Sequence, residues 1–152
     1  MPVTLKIPPP LVMLSLGGVC AWWTPVWPPL FTLSFYNVLA ALFLLGGAVI
    51  SALGVLTFRR AKTTVNPLKP HTASTLVTQG IYRYSRNPMY VGLLLVLAGW
   101  ALYLQNLVAL LIMPTIFVLY INKFQIAAEE RALVALFGDG YIEYMRHVRR
   151  WV

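Results

Sequence analysis

The sequence contains little charge and very few acidic residues. Of its 152 residues, 11% are charged, and four Asp or Glu stand against twelve Lys or Arg, which gives a formal net charge of +8. A soluble domain carries about 25% charged residues, whereas 59% of this chain is apolar. We therefore expect one integral-membrane domain over 1–152, whose basic residues lie in loops and tail. That pattern argues against nucleic-acid binding.

Cysteine and histidine are also scarce. Cys20 is the single cysteine, so no disulfide can form within the chain. It lies in an apolar run, which favours a packing role. His71 and His147 are the two histidines, and they are too far apart in sequence to form a recognisable set of metal ligands. We predict no metal site.

Long apolar runs predict four transmembrane helices, at about 10–27, 32–58, 89–104 and 106–127. The first carries Pro25, so it either crosses the bilayer or re-enters it. The third and fourth are separated only by residues 104–106, which predicts an antiparallel hairpin with Asn106 as N-cap and Pro114 as a possible kink. Small residues on the second and third helices predict close backbone packing: Gly47, Ser51, Gly54, Gly92 and Gly99.

The C-terminal tail and the distribution of charge complete the predicted topology. After residue 130, apolar spacing predicts two short amphipathic helices around a turn at Gly138-Asp139-Gly140. The loop 59–88 holds six Lys or Arg and no acid, and the connections 24–31 and 104–106 hold no charge. Both termini and the loop should therefore be cytoplasmic, in a membrane that we interpret as a bacterial inner membrane. An aromatic belt is predicted at the opposite face: Trp22, Trp23, Trp27, Trp100 and Tyr103.

Polar residues concentrate in the segment Gly80–Tyr90, which holds two arginines, one asparagine and three tyrosines, and in the pair Glu129-Glu130. Polar groups at a membrane boundary are costly unless they are paired or functional. The hairpin should bring Asn87–Tyr90 next to the glutamates. Arginine, carboxylate, amide and phenol groups in one pocket suit a zwitterionic ligand with an aromatic base. A purely structural alternative stays open, in which the arginines bind lipid phosphates and the glutamates pair with Arg131 and Arg83.

At these residues the sequence resembles a family of integral-membrane methyltransferases, the isoprenylcysteine carboxyl methyltransferases and their bacterial relatives, with phospholipid N-methyltransferases as cousins. Their pattern Arg-His-Pro-x-Tyr-x-Gly is matched by Arg86-Asn87-Pro88-Met89-Tyr90-Val91-Gly92, and their later glutamate pair by Glu129-Glu130. Their tail Phe-Gly-x-x-Tyr-x-x-Tyr is matched from Phe137 to Tyr144. The resemblance covers about 57–151, and 1–56 carries no usable signature, so we expect substrate choice there. Asn87 replaces the histidine of many members and cannot titrate near neutral pH.

The resemblance implies an all-α polytopic fold with about four transmembrane helices. Residues 1–58 would form two N-terminal helices, and 59–152 a cofactor-binding core with a cytoplasmic pocket closed by the short C-terminal helices. It implies S-adenosyl-L-methionine as methyl donor and a small lipophilic or lipid-like acceptor entering from the bilayer. No obligatory protein partner is evident. The implied catalytic residues are Arg86, Asn87, Tyr90 and Glu130.

The residues that the resemblance assigns to the donor fall into four groups. Arg83 and Arg86 would hold its carboxylate, Glu129 and Glu130 its ammonium or ribose hydroxyls, and the segment 76–82 its adenine. Asn87 and three tyrosines would line the methyl-transfer end. Apart from Arg86, already named among the catalytic residues, the implied set is Leu76, Val77, Gln79, Gly80, Tyr82, Arg83, Asn87, Pro88, Tyr90, Glu129, Glu130, Tyr141 and Tyr144.

The nature of the acceptor stays open between a carboxylate, a thiol and an amine. A carboxylate is already ionised at neutral pH, whereas an amine or thiol must lose a proton, with Glu130 or Tyr90 as helper. Two alternatives remain beside the first hypothesis. One is a phospholipid head-group N-methyltransferase, and the other is a non-catalytic four-helix membrane subunit or small transporter.

Overall fold

The computed structural model describes residues 7–24, 34–61 and 75–152, and every regular element in those ranges is helical. This agrees with the predicted all-α class. A 3-10 turn at Gly80–Arg83 precedes α3, and a π-helical stretch at Ile121–Ile126 joins α4 to α5. The described ranges contain six α-helices, which are α1 (Pro9–Trp23), α2 (Ser34–Arg60), α3 (Pro88–Tyr103), α4 (Leu107–Tyr120), α5 (Ala127–Phe137) and α6 (Asp139–His147).

Two of the helical segments in the described ranges are long and apolar enough to cross a membrane. They are Phe35–Arg60 and the continuous run Leu107–Phe137, while Pro9–Trp23 and Pro88–Tyr103 are shorter apolar helices. At 1.5 Å per residue, the 31-residue run is about 46 Å long, which exceeds the roughly 30 Å of a hydrocarbon core. The C-terminal part of that run therefore extends past the apolar layer if the rest crosses it.

The predicted hairpin between the third and fourth helices is confirmed. Gln105 takes a positive φ of 55° in the short turn, and the Asn106 side chain accepts a hydrogen bond from the Ala109 N–H at 2.9 Å. Asn106 is thus the N-cap of α4, as predicted. Pro88 occupies the first turn of α3, where its missing N–H removes no helical hydrogen bond.

The prediction that the fourth helix ends near residue 127 is wrong. The chain continues without a break from α4 through the π-helical stretch into α5 and ends at Phe137. The first predicted amphipathic helix of the tail is therefore an extension of the fourth helix, and only α6 is separate.

Pro114 lies inside α4, so the proline is accommodated within the helix. The predictions for Pro25, Trp27, the start of the second helix at 32 and the loop residues 62–74, including His71, lie outside the described residues.

Small residues allow α2 and α3 to pack backbone against backbone, as predicted. A Cβ atom added at Gly47 would lie 2.5 Å from the Gly92 carbonyl oxygen, and one at Gly99 would lie 2.9 Å from the Leu44 backbone nitrogen. Ser51 Oγ donates to the Met89 carbonyl across the same contact at 3.3 Å. This packing fixes the start of α3, which carries part of the polar segment, against α2.

The outward face of α2 is an apolar stripe. Its large side chains recur at helical spacing and are 45–67% exposed: Phe35, Val38, Leu42, Leu45, Val49, Leu53 and Leu56. An exposed apolar stripe of this length is unfavourable in water and favourable in lipid. On the inward side, α1 packs on α3, where the Trp100 Nε1–H donates to the Gly17 carbonyl at 3.0 Å and Cys20 is fully buried.

Candidate active site

The segment before α3 is held by contacts from α2 and α6. Gly80 has a φ of 62°, a left-handed conformation that glycine adopts without steric cost, and it starts the 3-10 turn. The buried Tyr82 ring packs edge-on against Phe58 with centroids 5.1 Å apart. The Tyr144 hydroxyl donates to the Tyr82 carbonyl oxygen at 2.6 Å. The turn therefore joins the end of α2 to α6.

Glu129 is the centre of a hydrogen-bonded cluster between α3 and the long helix. Its Oε1 atom accepts a hydrogen bond from the Tyr90 hydroxyl at 2.6 Å. The same oxygen accepts a second one from Gln125 Nε2, also at 2.6 Å. Gln125 is buried and lies in the π-helical stretch. The predicted meeting of the α3 N-terminus with the glutamate pair is confirmed by these contacts.

Glu130 faces a different set of partners, which are two arginines. Its Oε1 lies 2.9 Å from Arg86 Nη1. Arg150 binds it through two atoms, with Nε 3.1 Å from Oε1 and Nη2 2.6 Å from Oε2. The Arg86 and Glu130 side chains are 12% and 15% exposed. The Glu130 carboxylate thus pairs with two guanidinium groups in a largely desolvated environment. The attraction between opposite charges is stronger there than at the surface.

The last five residues, Val148–Val152, form a C-terminal strap that crosses the polar segment. The Arg149 carbonyl accepts a hydrogen bond from the Arg86 backbone N–H at 3.0 Å. The Arg150 carbonyl accepts one from Asn87 Nδ2 at 2.9 Å, and Trp151 Nε1–H donates to Asn122 Oδ1 at 3.0 Å. The strap thereby joins the Arg86-Asn87 segment to the long helix.

Tyr141 and Tyr144 on α6 close the cluster from a third side. The pKa of Tyr141 is raised to about 12, chiefly by burial and then by the negative charge of Glu130, while Arg86 acts in the opposite direction. Burial also raises the pKa of Tyr82 and of Tyr144. These three phenols are protonated at neutral pH, so they can donate hydrogen bonds but cannot act as phenolate bases.

Three buried polar atoms of this cluster have no well-aligned hydrogen-bond partner among the described residues. They are the Tyr82 hydroxyl and the Nε and Nη1 atoms of Arg86; Nη1 is close to Glu130, but its N–H is not directed at the carboxylate oxygen. A buried polar group without a partner costs about 1–3 kcal/mol. Such groups are expected where a polar ligand supplies the missing acceptors.

Not every residue that the sequence singled out faces this cluster. Tyr90, Glu129, Glu130, Asn87, Tyr141 and Tyr144 come together with Arg86. The Arg83, Gln79 and Gly80 residues are exposed, Leu76 is half-buried and Val77 is buried. Arg83 forms no ion pair with a described residue; the pairing of the glutamates with Arg83 or Arg131, kept as an alternative, is replaced by pairing with Arg86 and Arg150.

Sequence reasoning missed Gln125, Asn122 and the whole C-terminal strap. Gln125 falls inside the predicted apolar span 106–127, although a buried amide in such a span is a signal for a functional or structural hydrogen bond. Arg150 belongs to the basic tail that the charge pattern places on the cytoplasmic side. Its pairing is a tertiary contact over twenty residues, and no local spacing indicates it.

Comparison with known proteins gives one family. Residues 35–140 match the phospholipid methyltransferase family. A protein-S-isoprenylcysteine O-methyltransferase of Schizosaccharomyces pombe is 33% identical over 121 residues, which cover 78% of this chain and 50% of that protein. The Saccharomyces cerevisiae protein of the same name is 32% identical over 115 residues, covering 74% and 46%. An uncharacterized Haemophilus influenzae protein is 52% identical over 64 residues, covering 42% of this chain and all of that protein.

The chain therefore belongs to the phospholipid methyltransferase family, a family of methyltransferases, and is similar to its isoprenylcysteine O-methyltransferase members. The chain spans about half the length of those named relatives. The match starts at residue 35, so the prediction that 1–56 carries no family signature is wrong for 35–56, that is, for most of α2. The reason is physical: α2 is apolar with small residues and holds no polar motif that would mark a family in a single sequence.

Proposed function

We propose that this protein transfers a methyl group from S-adenosyl-L-methionine to a small lipophilic or lipid-like acceptor at the membrane interface. The observation that carries the proposal is the buried cluster of Arg86, Tyr90, Glu129 and Glu130 in a chain of a methyltransferase family. Two Arg86 nitrogens in this cluster have no aligned hydrogen-bond acceptor among the described residues. If the long apolar helix crosses the bilayer from its start, the cluster lies where that helix would leave the hydrocarbon. Glu129 is 22 residues from the start of α4, or about 33 Å along the helix.

The residues present fit this donor. Its carboxylate and ribose hydroxyls offer acceptors for the buried Arg86 nitrogens and the Tyr82 hydroxyl, which lack them among the described residues. Its ammonium and ribose hydroxyls offer donors for the carboxylate of Glu129, which already accepts hydrogen bonds from Tyr90 and Gln125 through Oε1. The half-buried and buried side chains of Leu76 and Val77 offer apolar surface for the adenine ring.

When bound, S-adenosyl-L-methionine supplies an electrophilic methyl group on a sulfonium ion. The protein's part is then to position the two reactants and to exclude water. Asn87 orders the pocket by holding the strap, and Tyr90 holds the carboxylate of Glu129. Because Glu130 is already engaged by two arginines, we assign any proton acceptance from the acceptor group to Glu129, through Tyr90, and not to Glu130.

A phospholipid head-group N-methyltransferase is the second candidate, and the description of the matching family favours it. The names of the relatives favour methylation of a carboxylate instead. The two reactions differ in proton demand. A carboxylate acceptor needs no base, whereas a protonated amine must first lose a proton. A dependence of the rate on the carboxylate of Glu129 would therefore accompany the amine reaction.

We also propose a multi-pass arrangement with both termini and the loop 59–88 on the cytoplasmic side of a bacterial inner membrane. The exposed apolar stripe of α2 and the two helices of spanning length support it. The exposed bases of the polar segment and tail, Arg83, Arg146 and Arg149, lie at the end of the molecule that carries the cluster, as the positive-inside rule requires for a cytoplasmic face.

Equilibrium binding of S-adenosylhomocysteine to the purified protein in detergent tests the donor. We expect saturable binding, which Arg86→Ala weakens strongly while Arg131→Ala, at an exposed position of α5, leaves it unchanged. Absence of binding at millimolar ligand, with the protein shown to be folded, refutes the proposal and favours the non-catalytic membrane subunit.

The acceptor is identified by incubating a lipid extract with donor labelled in the methyl group. A methyl ester releases labelled methanol on treatment with mild alkali, whereas a methylamine head group keeps its label. Release supports carboxylate methylation, and retention in a phospholipid supports the second candidate.

A further inference from the structure

The C-terminal strap brings one more arginine to the candidate pocket. We propose that Arg150 is, with Arg86, the second arginine of the donor site, and that the two guanidinium groups together bind the carboxylate of the donor. This inference rests on the proposed function and deepens it, because it assigns the donor's amino-acid end to a residue beyond the 35–140 segment matched by the family.

The position of Arg150 is fixed by contacts on both sides of it. The carbonyl of the preceding residue and its own carbonyl accept hydrogen bonds from Arg86 N–H and Asn87 Nδ2 at 3.0 and 2.9 Å. The following residue, Trp151, is held by Asn122 at 3.0 Å. The backbone around Arg150 is thus anchored and its guanidinium group is held by Glu130. The side chain is therefore oriented before a ligand arrives, which reduces the entropic cost of binding.

The charges around Glu130 favour an anion. Arg86 and Arg150 contribute two positive charges and Glu130 one negative charge, so the three side chains together carry +1. The carboxylate already has three close nitrogen contacts from these arginines, at 2.9, 3.1 and 2.6 Å. Because both oxygens of Glu130 already face guanidinium nitrogens, an ammonium group would have to displace an arginine to reach them. The arginines, with five N–H donors each, have donors to spare.

The other arginine that the sequence assigned to this role is less well placed. Arg83 is exposed and has no ion pair with a described residue. Arg150 is 40% exposed and Arg86 12%, so their cluster runs from the largely buried Arg86 to the solvent. This is the arrangement expected for a site that a charged ligand enters from water and that holds its carboxylate at the rim.

The test compares two ligands that differ only in the carboxylate, S-adenosylhomocysteine and its decarboxylated analogue. Binding is measured by calorimetry on the full-length protein in detergent, for wild type, Arg150→Gln, Arg150→Lys and Arg146→Gln. Arg146 is the matched control, because it is exposed and pairs with the exposed Glu143 at 3.2 Å.

We expect Arg150→Gln to weaken S-adenosylhomocysteine binding about 10- to 100-fold, the range of one charge-assisted hydrogen-bond pair. It should change the affinity for the decarboxylated analogue less than about 3-fold, and Arg150→Lys should recover part of the loss. Arg146→Gln should change neither affinity.

Equal weakening of both ligands by Arg150→Gln would mean that the strap only supports the fold, and would overturn the proposal. An unchanged affinity for S-adenosylhomocysteine would overturn it as well, while leaving the proposed methyl transfer intact. Failure of the wild-type protein to bind either ligand would instead refute the proposed function, and this inference with it.

Discussion

Replacing Glu130 by glutamine should destabilise the fold much more than the same replacement at Glu143. Both carboxylates pair with arginine, but their surroundings differ. Glu130 is 15% exposed and contacts Arg86, which is 12% exposed, as well as Arg150. Glu143 is 59% exposed and contacts Arg146, which is 72% exposed, at 3.2 Å. The pair of substitutions thus compares one chemical change in two environments.

The magnitudes follow from these exposures. Removing one partner of a buried ion pair costs about 3–5 kcal/mol, because it leaves an uncompensated charge in a desolvated place. Arg150 is 40% exposed and can return to water, so we expect about 2–4 kcal/mol for Glu130→Gln. An exposed pair contributes about 0–1 kcal/mol, which is the expectation for Glu143→Gln.

The assay is reversible unfolding of both variants in the same detergent, with the free energy of unfolding compared at low and high salt. Salt should reduce the already small effect at Glu143 and leave the effect at Glu130 nearly unchanged, because buried pairs are screened much less. Equal losses of stability at the two positions would refute the claim that the Glu130 cluster is desolvated. A loss at Glu130 that disappears at high salt would refute it as well.

Two further predictions concern helix packing and the phenols. Gly92→Ala should destabilise the fold by about 1–3 kcal/mol, because the new Cβ would lie 2.5 Å from the Gly47 carbonyl oxygen and 2.8 Å from the Ser51 nitrogen. Gly46→Ala is the control and should not destabilise it, because a Cβ there has nothing within 4 Å. Thermal unfolding measures both variants, and equal effects would contradict the close packing of α2 on α3. Tyr141 should ionise near pH 12, so its contribution to stability is complete below pH 10 and is lost as the pH rises from 10 to 12. Tyrosinate formation is followed by absorbance as the pH is raised. In Tyr141→Phe the ionisation step near pH 12 should be missing. If a step near pH 10 is missing instead, Tyr141 is not buried.

Local patterns in the sequence were sufficient for the hairpin and for the helix contact. A three-residue connection leaves two apolar helices no arrangement except antiparallel, and Asn106 is a good N-cap in any context. Glycines at 47, 92 and 99 indicate close packing because a lipid-exposed helix gains little from glycine otherwise. Once the hairpin is given, the Asn87–Tyr90 segment must meet the glutamate pair, and the 2.6 Å contact between Tyr90 and Glu129 follows.

The partners inside the cluster could not be predicted in the same way. Twelve basic residues compete for four acidic ones, so the choice of Arg150 over Arg83 is decided by tertiary structure. The strap that positions Arg150 depends on contacts across more than sixty residues. The π-helical stretch is equally invisible to a 3.6-residue pattern. It accommodates the buried Gln125, whose amide reaches Glu129 at 2.6 Å, and helices of this type commonly occur at functional sites.

The contact of Asn87 bears on the replacement of histidine at that position. Its Nδ2 amide donates to the Arg150 carbonyl at 2.9 Å, and an imidazole N–H could make the same kind of bond. The contact therefore needs a donor and not a titrating group. An asparagine can hold the strap at every pH, because its amide does not titrate. Any proton transfer in the reaction then depends on another residue, or the acceptor must be one that needs none. Glu129 with Tyr90 is the available pair for an amine acceptor. An acceptor that is already ionised needs neither residue as a base. If Glu129→Gln keeps its methylation rate once the protein is saturated with donor, the acceptor belongs to the carboxylate class.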